Sequence, residues 1–492
     1  MIRIGGCRTS LLAAFTATLL IASIGVTTAD PPVPADPVFP GLGNPGYEVE
    51  SYDLDFVYRP EEPKVPVEAE AVITARSSAE LQKFSLDAQK MHVKSVAVDG
   101  EDARFTLAKK KLQISPASSV APNHVMRINV RYDVDPRSSG ASGWVDTGKG
   151  FALAPQPDKA HTVFPCNDVP WDKADFTFRV SIPRGSDAVA VASGLPLKNP
   201  ETRGAYTTYT YGTVHPVAPE LVQIAVGRYE TEEIGTVDGV PISLVLPRGS
   251  ADRFGQLDMA VEQMKWAVGE LGPFPLEAYG LMPLDTDEEV PFGFHALETH
   301  TLTVYDPSYL SSTPVESVAP HMMHELVHSW FGGSVTPKTW ADNWISEGHA
   351  NYYGLTYRFA QGWTTNDGRH GSMESVMADF YRSGDVYRAQ YGPVARPTKE
   401  SLFSEQVYRG GPLVLYALEQ KVGKAKFRQI ERSFLTVYEG GSASTDDYIA
   451  HADRIAPGQG VKGFLESWLK GTETPPMPNH PDWKATPPPN GR

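Results

Sequence analysis

Residues 324–354 read HELVHSWFGGSVTPKTWADNWISEGHANYYG. The run has the pattern of a helix, a break and a second helix. His324 and His328 are four apart, so on a helix they project from one face and can share a cation. Imidazole nitrogen suits zinc. Glu325, beside the first His, can reach a water at that cation. The pentad alone is a weak signal, since two His can sit on any helix. Three further features add weight. Gly332-Gly333 and Pro337 break the chain, and 344–359 reads as a helix that can carry Glu347 back to the cation as third ligand, with eighteen residues between it and His328. Six of the thirteen His fall between His295 and His349, a concentration that a metal site explains. The pentad is also embedded among Met322, Met323, Leu326, Val327, Trp330 and Phe331, so its polar side chains are expected to be buried and to need partners. One zinc ion per chain, on His324, His328 and Glu347, satisfies them. Three protein ligands leave a fourth position for water, and Glu325 is placed to act on it as general base.

Upstream, Phe254, Leu257, Val261, Met264, Val268 and Leu271 recur at helical spacing, and helical patterns continue to about 475. Before residue 248 the period is two. Tyr52, Leu54, Phe56 and Tyr58 alternate with more polar neighbours, as do Met126, Ile128, Val130, Tyr132 and Val134, and Phe176, Phe178, Val180 and Ile182. The expected class is α+β and multidomain, with an antiparallel, sandwich-like β domain at 47–247 and a mainly helical zinc domain at 248–475. Residues 30–46 hold six prolines and read as an extended linker; 476–492 read as an extended tail.

At the N-terminus Arg3 and Arg8 precede an apolar stretch from Leu11 to Val26, followed by small residues to Ala29. That is the layout of a secretory signal peptide over 1–29, with a membrane anchor as the alternative. No second long apolar run follows, so the expected mature chain is secreted or held in the cell envelope without inserting in a membrane. Of two cysteines, Cys7 lies in the leader. Cys166 is left alone and reads as a small buried hydrophobe. A net charge of −15 argues against a nucleic-acid partner.

The pentad, its spacing to Glu347, and the run Trp340-Ala341-Asp342-Asn343-Trp344-Ile345-Ser346-Glu347-Gly348 resemble the aminopeptidase N family of zinc metallopeptidases. The resemblance covers about 44–484. Asn44-Pro45-Gly46-Tyr47 and Phe164-Pro165-Cys166-Asn167-Asp168 look like landmarks of its β domain. It implies a saddle-like β domain before a thermolysin-like catalytic domain, and no counterpart of the family's C-terminal helical domain is read here. The family's Gly-Ala-Met-Glu-Asn segment, whose Glu holds the substrate amine, corresponds to His295-Ala296-Leu297-Glu298-Thr299. Glu298 matches, and His295 and Thr299 depart. His295 and Ala296 are then expected to line the substrate site. The family's tyrosine that donates to the tetrahedral oxyanion corresponds to Tyr408, and its β-domain Gln or Glu near the amine to Gln156. The resemblance thus implies an aminopeptidase acting on peptides with a free N-terminus. The alternatives are a zinc endopeptidase, which has no use for Glu298, and a non-catalytic zinc-containing binding protein; one member of the family also hydrolyses a leukotriene epoxide. Among lesser signals, Asp285 to Glu289 read as a solvated acidic turn. His321 reads as a helix-start or supporting residue, and His349 either as a support of Glu347 or as a packed or exposed histidine.

Overall fold

The structure is a computed structural model, described here for residues 35–62, 66–137, 142–286 and 295–487. The signal-peptide segment 1–29, with Cys7, and the acidic residues 287–289 lie outside the described residues. Among those described, no helix is long and apolar enough to cross a membrane.

The N-terminal half is built on an eight-stranded sheet with Tyr47–Tyr58 near its centre. Tyr47–Tyr58 pairs antiparallel with Val67–Ser77, which pairs antiparallel with Val125–Val134. The period-two reading places the inner face correctly: Tyr52, Leu54, Phe56, Ile128, Val130, Phe176 and Phe178 are all buried. Tyr52 and Phe176, opposite each other in register, stack with centroids 4.7 Å apart. Each such burial is worth roughly 1.5–3 kcal/mol. The sheet is not wholly antiparallel, however, because Tyr47–Tyr58 runs parallel to Asp175–Pro183. The long intervening chain allows the crossover that parallel pairing needs. A three-stranded sheet and a four-stranded sheet, the latter formed by Val189–Ala192, Ile224–Gly227, Phe151–Leu153 and Trp144–Asp146, complete this half.

The expected boundary at residue 248 falls inside a structural unit. The hairpin Tyr229–Val237 and Val240–Pro247 joins Tyr279–Pro283, Leu302–Tyr305 and Ala296–Leu297 in a five-stranded sheet. Ile242 pairs in parallel with Tyr279. The change of period at 248 is real, but strand period carries no information about which sheet a strand joins. Ala296–Leu297 is one of the two edge strands of the five-stranded sheet, and its position decides much of the site.

The helices are α1 (Ala260–Leu271), α2 (Pro307–Ser312), α3 (Val315–Val327), α4 (Trp344–Ala360), α5 (Met373–Tyr391), α6 (Gly411–Val422), α7 (Lys424–Tyr438), α8 (Thr445–Ile455) and α9 (Val461–Lys470). The helix expected from Phe254 starts with two short 3-10 turns and becomes α-helical at Ala260. α3 and α4 pack closely: a Cβ on Gly354 would sit 2.9 Å from the Pro320 carbonyl oxygen.

Both terminal segments differ from free extended chain. In the Pro-rich stretch, Asp36 Oδ1 accepts from the amides of Val38 and Phe39, and its Oδ2 accepts from the amide of Trp340 at 2.7 Å. Val38, Phe39 and Leu42 pack with Trp340, Val169 and Leu402. From Asp36 onward this is an anchored strap rather than a linker. Among the described residues of the tail, 476–487, there is no helix, but Met477 is buried and Trp483 stacks on His480 and Tyr416.

Candidate functional site

The helix–break–helix expected of residues 324–354 is present, and it brings the three proposed ligands together. The donor atoms of His324, His328 and Glu347 all lie within 4.8 Å of one another. The two Nε2 atoms are 3.1 Å apart, and Glu347 Oε2 is 3.3 Å from that of His324 and 3.6 Å from that of His328. Gly332, at φ +118°, makes the turn between the helices, where any Cβ would meet Ser346 Oγ. That close approach lets Ser346 Oγ reach His328 Nδ1 at 2.9 Å, with the Phe331 carbonyl at 3.2 Å. With Nδ1 committed to these partners, Nε2 is left to face Glu347.

His349 does not support Glu347. It points to the opposite side of α4, where Nδ1 donates to the Ile345 carbonyl at 2.8 Å and Nε2 lies 3.1 Å from Glu431. Glu431 accepts from the Tyr448 hydroxyl at 2.6 Å. This fully buried network holds α4 against α7 and α8.

Glu325 lies at the cavity, with Oε1 3.1 Å from His321 Nε2 and Oε2 buried without a hydrogen-bond partner. His321 Nδ1 is 3.1 Å from the Tyr309 hydroxyl, and the Tyr309 ring stacks on His295 at 4.2 Å. His321 is therefore a supporting residue, as its spacing implied, and His295 is the exposed end of a His295–Tyr309–His321 aromatic shelf. Across the proposed ligands, Glu298 follows the edge strand, 3.8 Å from His328. Gln156 Nε2 donates to Glu298 Oε1 at 2.7 Å, although the two are far apart in sequence. Ala296 and Gln156 line the same cavity of about 750 Å³. Thr299 turns inward, accepting from Gln223 at 3.3 Å and donating to the Leu302 carbonyl.

Tyr408 occupies a π-helical turn, Gln406–Gly410, immediately before α6. Its ring centroid is 6.2 Å from that of His324. It is carried there by a backbone contact between α6 and α4: a Cβ on Gly411 would sit 2.7 Å from the Gly348 Cα. Asn351, on α4, donates to the Tyr408 carbonyl.

The electrostatics of the site favour a cation. Three carboxylates, Glu298, Glu325 and Glu347, share a buried pocket. Burial pushes Glu325 and Glu298 up. Burial alone would lower His328, but Glu298, Glu347 and Glu325 outweigh it and push it up to about 10. Burial raises Tyr408 well above its ordinary value, and the same carboxylates add to the effect. Glu347 Oε2 accepts no hydrogen bond, and two imidazole nitrogens converge on it. This donor set fits a zinc ion. A second grouping of Glu298, Glu325 and His328 also has metal-ligand spacing, but Glu298 is engaged by Gln156 and Glu325 by His321.

Of the residues singled out from the sequence, Gln156, His295, Ala296, Glu298, His324, Glu325, Glu347 and Tyr408 line this cavity; His328 does not line it but lies 3.1 Å from His324 and 3.6 Å from Glu347. Missed were Tyr309, Asn351, Arg358, Phe403 and Glu405, which also line it; only helical spacing from Glu347 could have flagged Asn351 and Arg358. The acidic turn is corrected at Asp285, which is buried and paired with Lys149 at 3.3 Å and Arg228 at 3.4 Å. Cys166 is buried and unpaired, as expected.

Comparison with known proteins gives the following. Residues 48–214 match the Peptidase M1 N-terminal domain and residues 289–468 the Peptidase family M1 domain. Aminopeptidase M1 of Arabidopsis thaliana is 25% identical over 326 residues, 64% of this chain and 36% of that protein. Leukotriene A-4 hydrolase of Xenopus laevis is 24% identical over 437 residues, 82% of this chain and 66% of that protein. The chain thus spans about a third of the length of the plant relative. Among solved structures, an M1 zinc metallopeptidase from Deinococcus radiodurans superposes with a TM-score of 0.76 at 28% identity, over 90% of this chain and 99% of that one. A mutant of that enzyme was solved with a Tyr-Ser-Ala substrate bound.

Proposed function

We propose, from the premise that this chain belongs to the aminopeptidase N family of zinc metallopeptidases, that it is an aminopeptidase removing single residues from peptide N-termini. The observation that carries this reading is Glu298. It is a carboxylate at the end of the edge strand Ala296–Leu297, held by Gln156 and 3.8 Å from a metal-ligand imidazole. A buried carboxylate there is costly unless a cation meets it, and the α-ammonium of a peptide is such a cation. A chain without that amine leaves the carboxylate unpaired, so selection for termini is a charge-pairing effect.

The other residues take roles that follow from their places. His324, His328 and Glu347 would hold zinc, which when bound supplies Lewis acidity to a carbonyl oxygen and acidifies a water. The edge strand Ala296–Leu297 offers backbone hydrogen bonds to an extended peptide. Glu325 takes a proton from the attacking water and delivers it to the leaving amine nitrogen; its raised pKa suits both halves of that task. Tyr408 keeps its proton and donates it as a hydrogen bond to the developing oxyanion. Residues 1–29 carry the secretion reading, which places the mature enzyme outside the cell or in its envelope; N-terminal sequencing of the exported protein tests it, with a start near Asp30 expected.

The activity is tested with a leucyl peptide, free or N-acetylated, and with E325Q beside the wild type. Cleavage of the free peptide alone, abolished in E325Q with zinc retained, supports clamp and base together. Cleavage of both peptides makes the protein an endopeptidase. Cleavage of neither, with zinc bound, leaves a binding protein.

A further inference from the structure

Arg358 lies eleven residues beyond Glu347 on α4 and lines the same cavity. It is 7% exposed. Its hydrogen bond runs from Nη1 to the Thr364 carbonyl at 2.7 Å. Burial lowers its pKa, and the one neighbouring group acting against that is Tyr309. Among the described residues no carboxylate pairs with it. A guanidinium has five donors in a rigid fork, so most of this one is uncommitted. The residue lines the cavity, on the side where Tyr309 is its electrostatic neighbour. Arg388 makes a useful contrast. It is equally buried, but it spends both arms on the carbonyls of Gly471 and Trp468 and does not line the cavity.

The cavity has a direction. Glu298 and Gln156 stand on the His328 side of the metal ligands. Away from them, α3 runs back through His324 and Pro320 to Ser317, while α4 runs forward through Asn351 and Gly354 to Arg358, and all of these line the cavity. Eleven residues of helix rise about 16 Å. Side chains lean towards the helix N-terminus, which brings the guanidinium to roughly 10–16 Å from the cleavage centre. An extended peptide covers about 3.3–3.6 Å per residue. A carboxylate stops about 3–4 Å short of the guanidinium carbon that it pairs with, so a group held by Arg358 is about two to four residues past the cleaved bond.

We infer that Arg358 is a specificity residue that binds a carboxylate on the leaving side of the substrate, so that the enzyme favours peptides of about three to five residues with a free C-terminus. This rests on the aminopeptidase reading. The cavity then recognises both ends of a short zwitterionic peptide, the amine at Glu298 and the carboxylate at Arg358. An Asp or Glu side chain at the same distance offers the same chemistry, and the test separates the two sources.

The test compares kcat/KM for Leu-Gly-Gly, Leu-Gly-Gly-amide, Leu-Gly-Asp-amide and leucyl anilide, with wild type, R358Q and R358K. A charge-assisted, forked contact is expected to favour the free acid over its amide by roughly ten- to a hundredfold, mostly in KM. In R358Q that ratio falls to near one; in R358K, which keeps the charge but not the fork, it is intermediate and serves if R358Q does not fold. The same ratio should appear in Kd measured calorimetrically on E325Q. Leu-Gly-Asp-amide matching the free acid assigns the site to any carboxylate at that distance, and its matching the plain amide assigns it to the C-terminus. Equal rates for acid and amide in the wild type, or a preference that persists in R358Q, overturn the inference while leaving the aminopeptidase reading intact. If leucyl anilide and the peptides all go uncut, that reading fails and this one falls with it.

Discussion

Replacing Gly411 with alanine tests whether helix packing, rather than the site residues alone, places Tyr408. The added Cβ would sit 2.7 Å from the Gly348 Cα, where ordinary contact begins at 3.4 Å. Both partners are helix backbone, so no side chain can swing away, and α6 must retreat from α4 by roughly 0.7 Å or tilt by an equivalent amount. Overpacking of this kind costs about 1–3 kcal/mol. Tyr408 sits in the π turn fused to the start of α6 and moves with it, whereas His324, His328 and Glu347 lie on α3, its C-terminal end and α4, and Glu298 on the far side of the cavity. A displacement near 1 Å at a group acting on the transition state can cost up to about a hundredfold. Steady-state assay of a leucyl anilide should therefore give a kcat reduced by roughly ten- to a hundredfold in G411A, with KM within about threefold and zinc content by elemental analysis unchanged. G269A is the control. Gly269 is a helical glycine with nothing within 4 Å of its added Cβ, so the same substitution there should raise stability by up to about 1 kcal/mol without touching kcat. A G411A enzyme with wild-type kcat would refute the reasoning, as would one that loses zinc and affinity in parallel.

Other perturbations test other links. S346A removes a partner of His328 Nδ1 but leaves the Phe331 carbonyl at 3.2 Å, so zinc affinity in a chelator competition should weaken by about tenfold, the mild end for such partners. Glu277 is paired with His215 and His300; burial would raise it, but these partners win and bring it down to about 2. Its folded pKa lies below its unfolded one, so its stabilisation is present above about pH 4.5 and fades as pH falls towards 2. E277Q should lose up to about 3 kcal/mol at neutral pH, with the gap in chemical denaturation closing across that window. D36A frees the amides of Val38, Phe39 and Trp340 and should cost about 1–3 kcal/mol, read as faster limited proteolysis before Tyr47.

What could be read from the sequence was what a local period encodes. Two His and a Glu on consecutive helices declare their faces through 3.6-residue spacing, and the alternation of Tyr52, Leu54 and Phe56 declares the inner face of a strand. Partners far apart in the chain are not encoded that way. Nothing local says that Tyr47–Tyr58 lies parallel to Asp175–Pro183, or that the hairpin before 248 joins the sheet after it. Glu431 reaching His349, and Lys149 and Arg228 neutralising Asp285, are likewise invisible until the chain is folded. Asp285 was misread for this reason: an acidic cluster looks solvated until its cations are found. Arg358 was legible in principle, as a residue on the Glu347 face of α4, but a lone arginine carries no signal until a cavity and an absent counter-ion are seen together.

On the aminopeptidase reading, the hold on Glu298 says where terminus selection would reside. The segment that presents it belongs by sheet to the catalytic half, yet much of its anchoring comes from the other half. Gln156 holds the carboxylate itself. Gln223 donates to Thr299, the His300 amide donates to the Leu221 carbonyl, and the Gly194 amide donates to Thr301 Oγ1. Glu277, from the catalytic half, ties His300 back to His215 in the β half. The proposed zinc ligands, by contrast, are fixed within α3, α4 and the turn between them. On that reading hydrolytic power would belong to the helical half, and the choice of which bond to cut would belong to the junction. That division explains how Thr299 can stand where the family has Asn: its hydroxyl serves the junction through Gln223 and Leu302, and the carboxylate beside it stays where a substrate amine can reach it.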